Sequence, residues 1–192
     1  MQIFRTNNDI STPEKLALVI SDGTIARYAD IPEGPRKLWI GSQIYALCMI
    51  LHYQPPAPMD VEIDSAFADQ MIMEDEGIRA LKQVEMQEAF RRGISREYGD
   101  FFGITAASLI GFLEGYMRSE KRAKAVGILR KQERDERAAK DAKFWRAIHE
   151  ARQRGFELPD IERLPAESAE RHRQRTTRQL EELLNQYNNG TE

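Results

Sequence analysis

The sequence has few of the features that mark secreted, membrane-bound or metal-binding proteins. Its only cysteine, Cys48, excludes a disulfide framework and a thiolate metal cluster. No apolar run approaches the roughly 18 residues that a transmembrane helix needs. Residues 1–20 carry Asp9 and Glu14 and lack the basic start of a signal peptide. We therefore expect a soluble, cytoplasmic protein that does not associate with a membrane.

The sequence motifs of common enzymes are also missing. The chain has no glycine-rich phosphate loop, no Gly-x-Ser-x-Gly sequence and no His-Glu-x-x-His sequence. His52, His149 and His172 do not have the spacing of zinc ligands. We therefore expect no enzymatic activity, no metal, no cofactor and no small-molecule substrate.

Helical periodicity dominates the rest of the sequence and predicts an all-α fold. Residues 11–14 have the pattern of a capping box with a proline in the first helical turn. Residues 36–53 are apolar nearly all round, so we expect them to form the central buried helix. Gly93 stands where a left-handed C-cap would close a later helix.

The chain is predicted to consist of a compact helical domain with appended helices. We place the helical domain at 1–118, with a helix-turn-helix-like unit at 95–117, followed by a long basic helix at 119–155, a connector at 156–166, an amphipathic helix at 167–188 and a tail at 189–192.

The small net charge of −3 conceals two oppositely charged segments. Residues 61–90 carry eight acidic and two basic side chains, whereas residues 119–155 carry twelve basic and six acidic ones. The middle of the long helix, 130–143, has no apolar side chain larger than alanine, so we expect it to be exposed. Either the two segments neutralise each other, within the fold or across an oligomer, or the basic helix is available for phosphates.

Residues 95–114 carry the most specific motif. A helix-turn-helix joins two short helices by a turn of three or four residues, which needs small residues at the helix contact and in the turn. Gly99 is expected at the contact, Gly103 in the turn and Thr105 at the N-cap of the second helix. The small core would be closed by Tyr98, Phe102, Ile104, Leu109 and Phe112. The segment resembles the helix-turn-helix superfamily, and with Tyr116 and 118–122 it resembles small helical proteins of phages and mobile elements.

The helix-turn-helix resemblance implies that the second helix enters the major groove of DNA. Its outward positions hold no Arg, Lys, Asn or Gln, the usual base-reading residues, so we expect non-specific or structure-specific binding through phosphates. Alanine at Lys121, Arg122 and Lys124 is expected to weaken binding without unfolding the domain. The residues expected to bind nucleic acid are Arg91, Arg92, Arg96, Thr105, Ser108, Arg118, Lys121, Arg122, Lys124, Arg130, Lys131 and Arg134.

Two apolar surfaces near the C-terminus predict self-association. The end of the long helix regains an apolar face, and the last predicted helix has apolar residues at i, i+3, i+4 and i+7. These surfaces either fold back on the helical domain or join copies in a coiled coil, and we expect the second. The residues are Phe144, Trp145, Ile148, Leu180, Leu183, Leu184 and Tyr187.

The leading hypothesis is a non-enzymatic, nucleic-acid-associated accessory protein of phage or mobile-element type, with DNA as its partner. The alternative is a structural or adaptor protein that self-associates as a homo-oligomer or docks a protein partner. For residues 95–117, a helical hairpin that only packs within the domain also remains open.

Overall fold

The computed structural model describes residues 10–155. These residues form seven α-helices and one short 3₁₀ helix and contain no β-strand, which confirms the all-α class for this part of the chain. The predicted connector 156–166, helix 167–188 and tail 189–192 lie outside the described residues. The α-helices are α1 (Pro13–Ser21), α2 (Glu33–Ile50), α3 (Pro58–Glu74), α4 (Glu76–Arg79), α5 (Gln83–Ile94), α6 (Ala106–Met117) and α7 (Glu120–Gln153), and the 3₁₀ helix is Tyr28–Asp30.

The described residues divide into two units, the first ending at residue 129 and the second beginning at residue 130. In the first unit, α2 packs chiefly against α3, whereas α6 packs against α3, α4 and α5. Helices α3 and α6 each pack against three others, and Leu109, Leu113 and Tyr116 of α6 are fully buried. Helix α2, which we expected to be the central buried helix, buries Ile40, Ile44 and Leu47 but leaves Leu38 77% exposed, so only part of its surface is in the core.

Polar side chains begin three of the helices. Thr12 is the N-cap of α1, and its Oγ1 accepts a hydrogen bond from the backbone N–H of Lys15. The proline in the first turn is as predicted, but the cap is one residue later than the Ser11–Glu14 box. Asp75 caps α4 in the same way. At α6, Thr105 is the N-cap, and Asp64 of α3 accepts a hydrogen bond from the N–H of Ala106 at 3.3 Å. This last bond attaches the start of α6 to α3.

A buried ion pair joins α2 to α3. Arg36 donates from Nε to Asp69 Oδ1 at 2.8 Å and from Nη2 to Oδ2 at 3.2 Å, and the Tyr28 hydroxyl donates to Asp69 Oδ1 at 2.7 Å. Burial alone would raise the pKa of Asp69, but the hydrogen bonds from Arg36 and Tyr28 outweigh it and lower that pKa. These bonds fix the position of α3 beside α2.

Gly93 lies inside α5 and is not a left-handed C-cap. The first residue with positive φ after α5 is Arg96, at 61°. Gly93 instead provides space for the ring of Phe112 on α6, because a Cβ at this position would lie 2.1 Å from Phe112 Cγ. The prediction that Gly93 closes the helix is therefore wrong, and its role is a close contact between α5 and α6.

Replacing Gly93 by alanine is expected to lower the free energy of unfolding by about 1–3 kcal/mol, because Phe112 has to move to accommodate the methyl group. The matched control is Gly111→Ala, because Gly111 also lies in an α-helix but has open space at its Cβ position. We expect this control to be neutral or more stable by up to about 1 kcal/mol. Urea denaturation of both variants measures the difference, and equal stability of the two would contradict the close contact.

Candidate nucleic-acid interface

Residues 95–105, which connect α5 to α6, contain no α-helix. The first helix predicted at the start of the helix-turn-helix motif is therefore absent, and the connection is longer than the expected three- or four-residue turn. Positive φ angles at Arg96 (61°), Gly99 (109°) and Gly103 (76°) shape this loop. Gly99 has open space around it, so it is not the expected helix contact. Gly103 lies in the bend before α6, as predicted.

The helix predicted to enter the major groove, α6, is mostly buried. Ile110 lies in the core, and only Ala107 and Gly111 in the middle of the helix are exposed. Thr105 Oγ1 accepts a hydrogen bond from the N–H of Ser108, and Ser108 Oγ accepts one from the N–H of Thr105 at 2.9 Å. These predicted contact residues thus cap the helix, and α6 offers no exposed cation for a base edge.

Four of the predicted phosphate-binding cations converge on two carboxylates of α5. Glu88 is the centre of the larger group: Arg91 Nε lies 2.7 Å from its Oε2, Arg92 Nε 2.8 Å from its Oε1, and Lys121 Nζ 3.4 Å from its Oε1. The side chains of Arg92 and Lys121 are only 16% and 11% exposed. We name Glu85, Glu88, Arg91, Arg92, Lys121 and Arg122 the internal charge cluster.

Glu85 anchors the other end of the internal charge cluster. It is almost fully buried, and Arg122 Nε lies 3.5 Å from its Oε1. The same oxygen accepts a hydrogen bond from the Tyr116 hydroxyl at 3.3 Å. Burial and the negative charge of Glu85 raise the pKa of Tyr116, so this hydroxyl stays protonated. The first turn of α7 is thereby tied to α5 and α6.

The charges in this cluster compensate one another. Burial alone would raise the pKa of Glu88, but the hydrogen bonds from Arg91 and Arg92 outweigh it and lower that pKa to about 2. Burial lowers the pKa of Lys121, and the charge of Glu88 partly offsets this. The structure therefore corrects the roles of Arg92, Lys121 and Arg122, which neutralise buried carboxylates instead of facing solvent, while Arg91 remains 55% exposed.

Alanine at Lys121 or Arg122 consequently removes a partner of a buried carboxylate. We expect a loss of stability from either change, limited for Lys121 because Arg91 and Arg92 still pair with Glu88. The expectation that these substitutions weaken binding without unfolding the domain stays a prediction, and the ion pairs of Lys121 and Arg122 make a loss of stability part of its test. Lys124, the third member of that set, is exposed and pairs with Glu120 at 2.6 Å.

The other predicted cations lie on the surface. Arg96 pairs with Asp100 at 3.4 Å, and Arg118 pairs with Glu114 at 3.1 Å. These ion pairs are exposed, contribute little to stability and exchange readily with other anions.

The second unit begins with the exposed part of α7. Residues 130–140 are all exposed, and Arg130, Lys131 and Arg137 make no ion pair among the described residues. Arg130, Arg134 and Arg137 have the spacing i, i+4 and i+7, which places them on one face of the helix. We name these three residues the arginine stripe. Arg137 was not among the predicted contacts, although this helical spacing identifies it.

The apolar residues near the end of α7 share one helix face. Phe144 and Ile148 are buried together with Ala151, whereas Trp145 is 37% exposed. The expectation that Phe144, Trp145 and Ile148 join copies of the chain stays a prediction. Leu180, Leu183, Leu184 and Tyr187 lie outside the described residues.

Other kinds of site receive no support from the described residues. None of them form a group of three or more His, Cys, Asp or Glu side chains that could hold a metal ion. Within residues 10–155, no helix is both long and apolar enough to cross a membrane. Cys48 is buried, and burial raises the pKa of its thiol, which fits the inert cysteine that its apolar neighbours predict.

The internal charge cluster predicts a specific loss of stability in acid. The folded pKa of Glu88, about 2, lies below the value of about 4.3 expected in the unfolded chain. Glu88 therefore stabilises the fold fully above about pH 5, and this contribution is lost as the pH falls towards 2. At neutral pH, Glu88→Gln is expected to cost about 3–5 kcal/mol, since its cationic partners lose their counter-charge.

Urea denaturation of the wild type and Glu88→Gln between neutral pH and pH 3 measures this effect. We expect the difference in their free energies of unfolding to shrink as the pH falls, because only the wild type protonates at this position. Glu133→Gln, on the exposed part of α7, is the matched control and is expected to change stability by less than about 0.5 kcal/mol. A difference between wild type and Glu88→Gln that does not depend on pH would contradict the depressed pKa.

Comparisons with known proteins do not identify a relative. No family model, curated protein or solved structure matches the chain. The resemblances to the helix-turn-helix superfamily and to phage and mobile-element proteins therefore stay predictions. What the protein does has to be inferred from the side chains that the structure describes.

Proposed function

We propose that the chain is a non-enzymatic, cytoplasmic, nucleic-acid-associated accessory protein that contacts phosphates through the exposed cations of α7. One observation carries this proposal: residues 130–140 are exposed throughout, and the arginine stripe presents three guanidinium groups on one helix face. Lys131 lies next to the stripe. Arginine suits this role because its planar, multi-donor head group pairs well with phosphate oxygens.

The length of the stripe suits a nucleic-acid backbone. Arg130 and Arg137 are separated by about 10 Å along the helix axis, at 1.5 Å per residue. A DNA strand places successive phosphates about 3.4 Å apart along the duplex axis, so the stripe spans about three steps. Because α6 is mostly buried, it is poorly placed to contact bases in a groove, which favours contacts to phosphates.

Acidic residues limit how tightly this surface binds. Between 130 and 143, six basic side chains alternate with Glu133, Asp135, Glu136 and Asp141. We therefore expect affinities in the range of non-specific binding, with dissociation constants of about 10⁻⁶ to 10⁻⁴ M at physiological salt. Binding of this kind is steeply salt-dependent and insensitive to sequence.

Replacing Arg130, Arg134 and Arg137 together by glutamine tests the proposal. Fluorescence anisotropy with labelled duplex DNA, single-stranded DNA and RNA at about 50 and 200 mM salt measures affinity and its salt dependence. If the stripe engages three phosphates, the wild-type affinity falls about 40-fold between these salt concentrations, and the triple variant loses most of that dependence. The stability of the variant is expected to be unchanged, because these side chains are exposed.

The matched control removes the same number of positive charges from the first unit, by glutamine at Lys15, Arg27 and Arg79. It is expected to retain binding and its salt dependence if the contacts lie on α7. Absence of binding by the wild type to all three probes would contradict the proposal, as would equal losses in the two triple variants.

A structural or adaptor role is the second candidate function, and a separate observation favours it. Large apolar side chains on the outer surfaces of α2 and α3 are exposed, which is typical of a protein–protein contact. Met59, Ile63 and Phe67 follow one another at intervals of four residues along α3, and Leu38 is on α2. This surface is distinct from the C-terminal residues that the sequence indicated for self-association.

A further inference from the structure

Three apolar side chains near the end of α7 are buried. Phe144, Ile148 and Ala151 are only 8%, 2% and 1% exposed. Their spacing of i, i+4 and i+7 places them on one side of the helix. The described side chains that pack on them, Ala147 and Trp145, lie on the same helix. We name Phe144, Ile148 and Ala151 the apolar face of α7.

The cover of this face comes from another part of the chain. A single helix cannot bury its own side chains to this extent, because each one is touched only by its neighbours along the same face. Residues 1–9 lead into Ile10, which lies in the core of the first unit. Residues 156–192 start one helical turn after Ala151, so they are the nearest part of the chain that can supply the cover.

The end of α7 allows the chain to turn back along the helix. Gly155 has a φ of 83°, and its N–H donates to the carbonyl of Arg152 at 3.0 Å. A left-handed residue directly after the last turn ends a helix and changes the direction of the chain. The predicted connector 156–166 contains Pro159 and Pro165, which disfavour a continued helix. A later helix can therefore lie antiparallel to α7.

The predicted helix 167–188 contains an apolar stripe of matching length. In this stripe, as in the apolar face of α7, the first and last residues are seven positions apart, or about 10 Å along a helix axis. Two such stripes cover each other when their helices pack side by side. We name the stripe the leucine stripe; it consists of Leu180, Leu183, Leu184 and Tyr187.

The exposure of the preceding part of α7 limits where the leucine stripe can lie. The arginine stripe and the apolar face lie along the same side of α7, because their residues follow one another at intervals of three, four and seven. Residues 130–140 are nevertheless all exposed, so nothing covers the arginine stripe. Residues 144–151 are therefore the part of α7 that matches the leucine stripe.

Charge also favours this pairing. Residues 143–152, which contain the apolar face, carry three basic side chains and one acidic side chain. Residues 179–188, which contain the leucine stripe, carry two carboxylates and no basic side chain. The two segments therefore attract each other across an apolar contact.

We propose that the leucine stripe covers the apolar face of α7 within the same copy of the chain, so that residues 180–187 lie antiparallel to residues 144–151. This occupant differs from the second copy that the sequence indicated for both surfaces. The contact does not depend on nucleic-acid binding by the arginine stripe.

Cysteine pairs in the full chain test which residues meet and whether they belong to one copy. Ile148→Cys with Leu184→Cys is expected to form a disulfide within one chain under mild oxidation with diamide, at low micromolar protein. Arg146→Cys with Leu184→Cys is the matched control, because Arg146 is exposed on the other side of α7, and its disulfide is expected to form at least about tenfold more slowly. Cys48 is buried and does not compete.

Non-reducing gel electrophoresis separates bridged single chains from linked dimers, and peptide mass spectrometry identifies the bridged residues. A disulfide that links two chains overturns the proposal, since a second copy is then the occupant. Equal reaction of the two cysteine pairs overturns it as well.

Amide hydrogen exchange provides a test that does not depend on the exact register of the two helices. Leu184→Glu places a charge in the contact and is expected to speed exchange in residues 144–151 at least about tenfold. Asn185→Glu adds the same charge outside the leucine stripe and is expected to leave that exchange unchanged. Equal exchange rates in the two variants would show that residues 180–187 do not cover α7.

Discussion

The ion pairs of the buried Glu88 carboxylate determine which cations of this protein are available to bind other anions. Removing a carboxylate from water is costly, so it is stable only where cations and hydrogen bonds compensate it. In this chain, Arg91, Arg92 and Lys121 supply that compensation, and Arg122 does the same for Glu85. Lys121 and Arg122 at the start of the basic segment thus pair with Glu88 and Glu85 of the acidic segment within one chain, which removes these two cations from the basic surface.

Helix α7 has two parts that differ in burial. Residues 120–129 contact the first unit, whereas residues 130–140 are exposed. Its first turns belong to the core of the first unit, where Ala125, Ile128 and Leu129 pack with the apolar residues and Lys121 and Arg122 contact α5. From Arg130 onward, the helix has neither an apolar face nor buried carboxylates to neutralise until Phe144. Cations in this stretch remain hydrated, which is the state required for exchanging counterions with a phosphate backbone.

Local sequence signals predicted the local structure well. Thr105 and the proline at the start of α1 mark helix boundaries through the chemistry of neighbouring residues, and the structure confirms both. Pairings between distant residues were not predictable in this way. That Lys121 contacts Glu88, or that Phe112 packs on Gly93, depends on how helices meet. The segment 95–105 was not predictable for the same reason. Its glycines are compatible with a tight turn between helices, but in the structure they lie in a loop that exposes Phe102.

The cations of this protein divide into internal and external ones, and lysine labelling in the presence and absence of duplex DNA tests this division directly. An amine-specific acylating reagent, read out by mass spectrometry, reports the accessibility of each lysine. Lys131 and Lys140 are exposed and are expected to react rapidly in the free protein and to be protected by DNA. Lys121, 11% exposed beside Glu88, is expected to react slowly in both samples. Rapid labelling of Lys121, or protection by DNA at Lys15 and Lys37 instead of Lys131 and Lys140, would contradict this division.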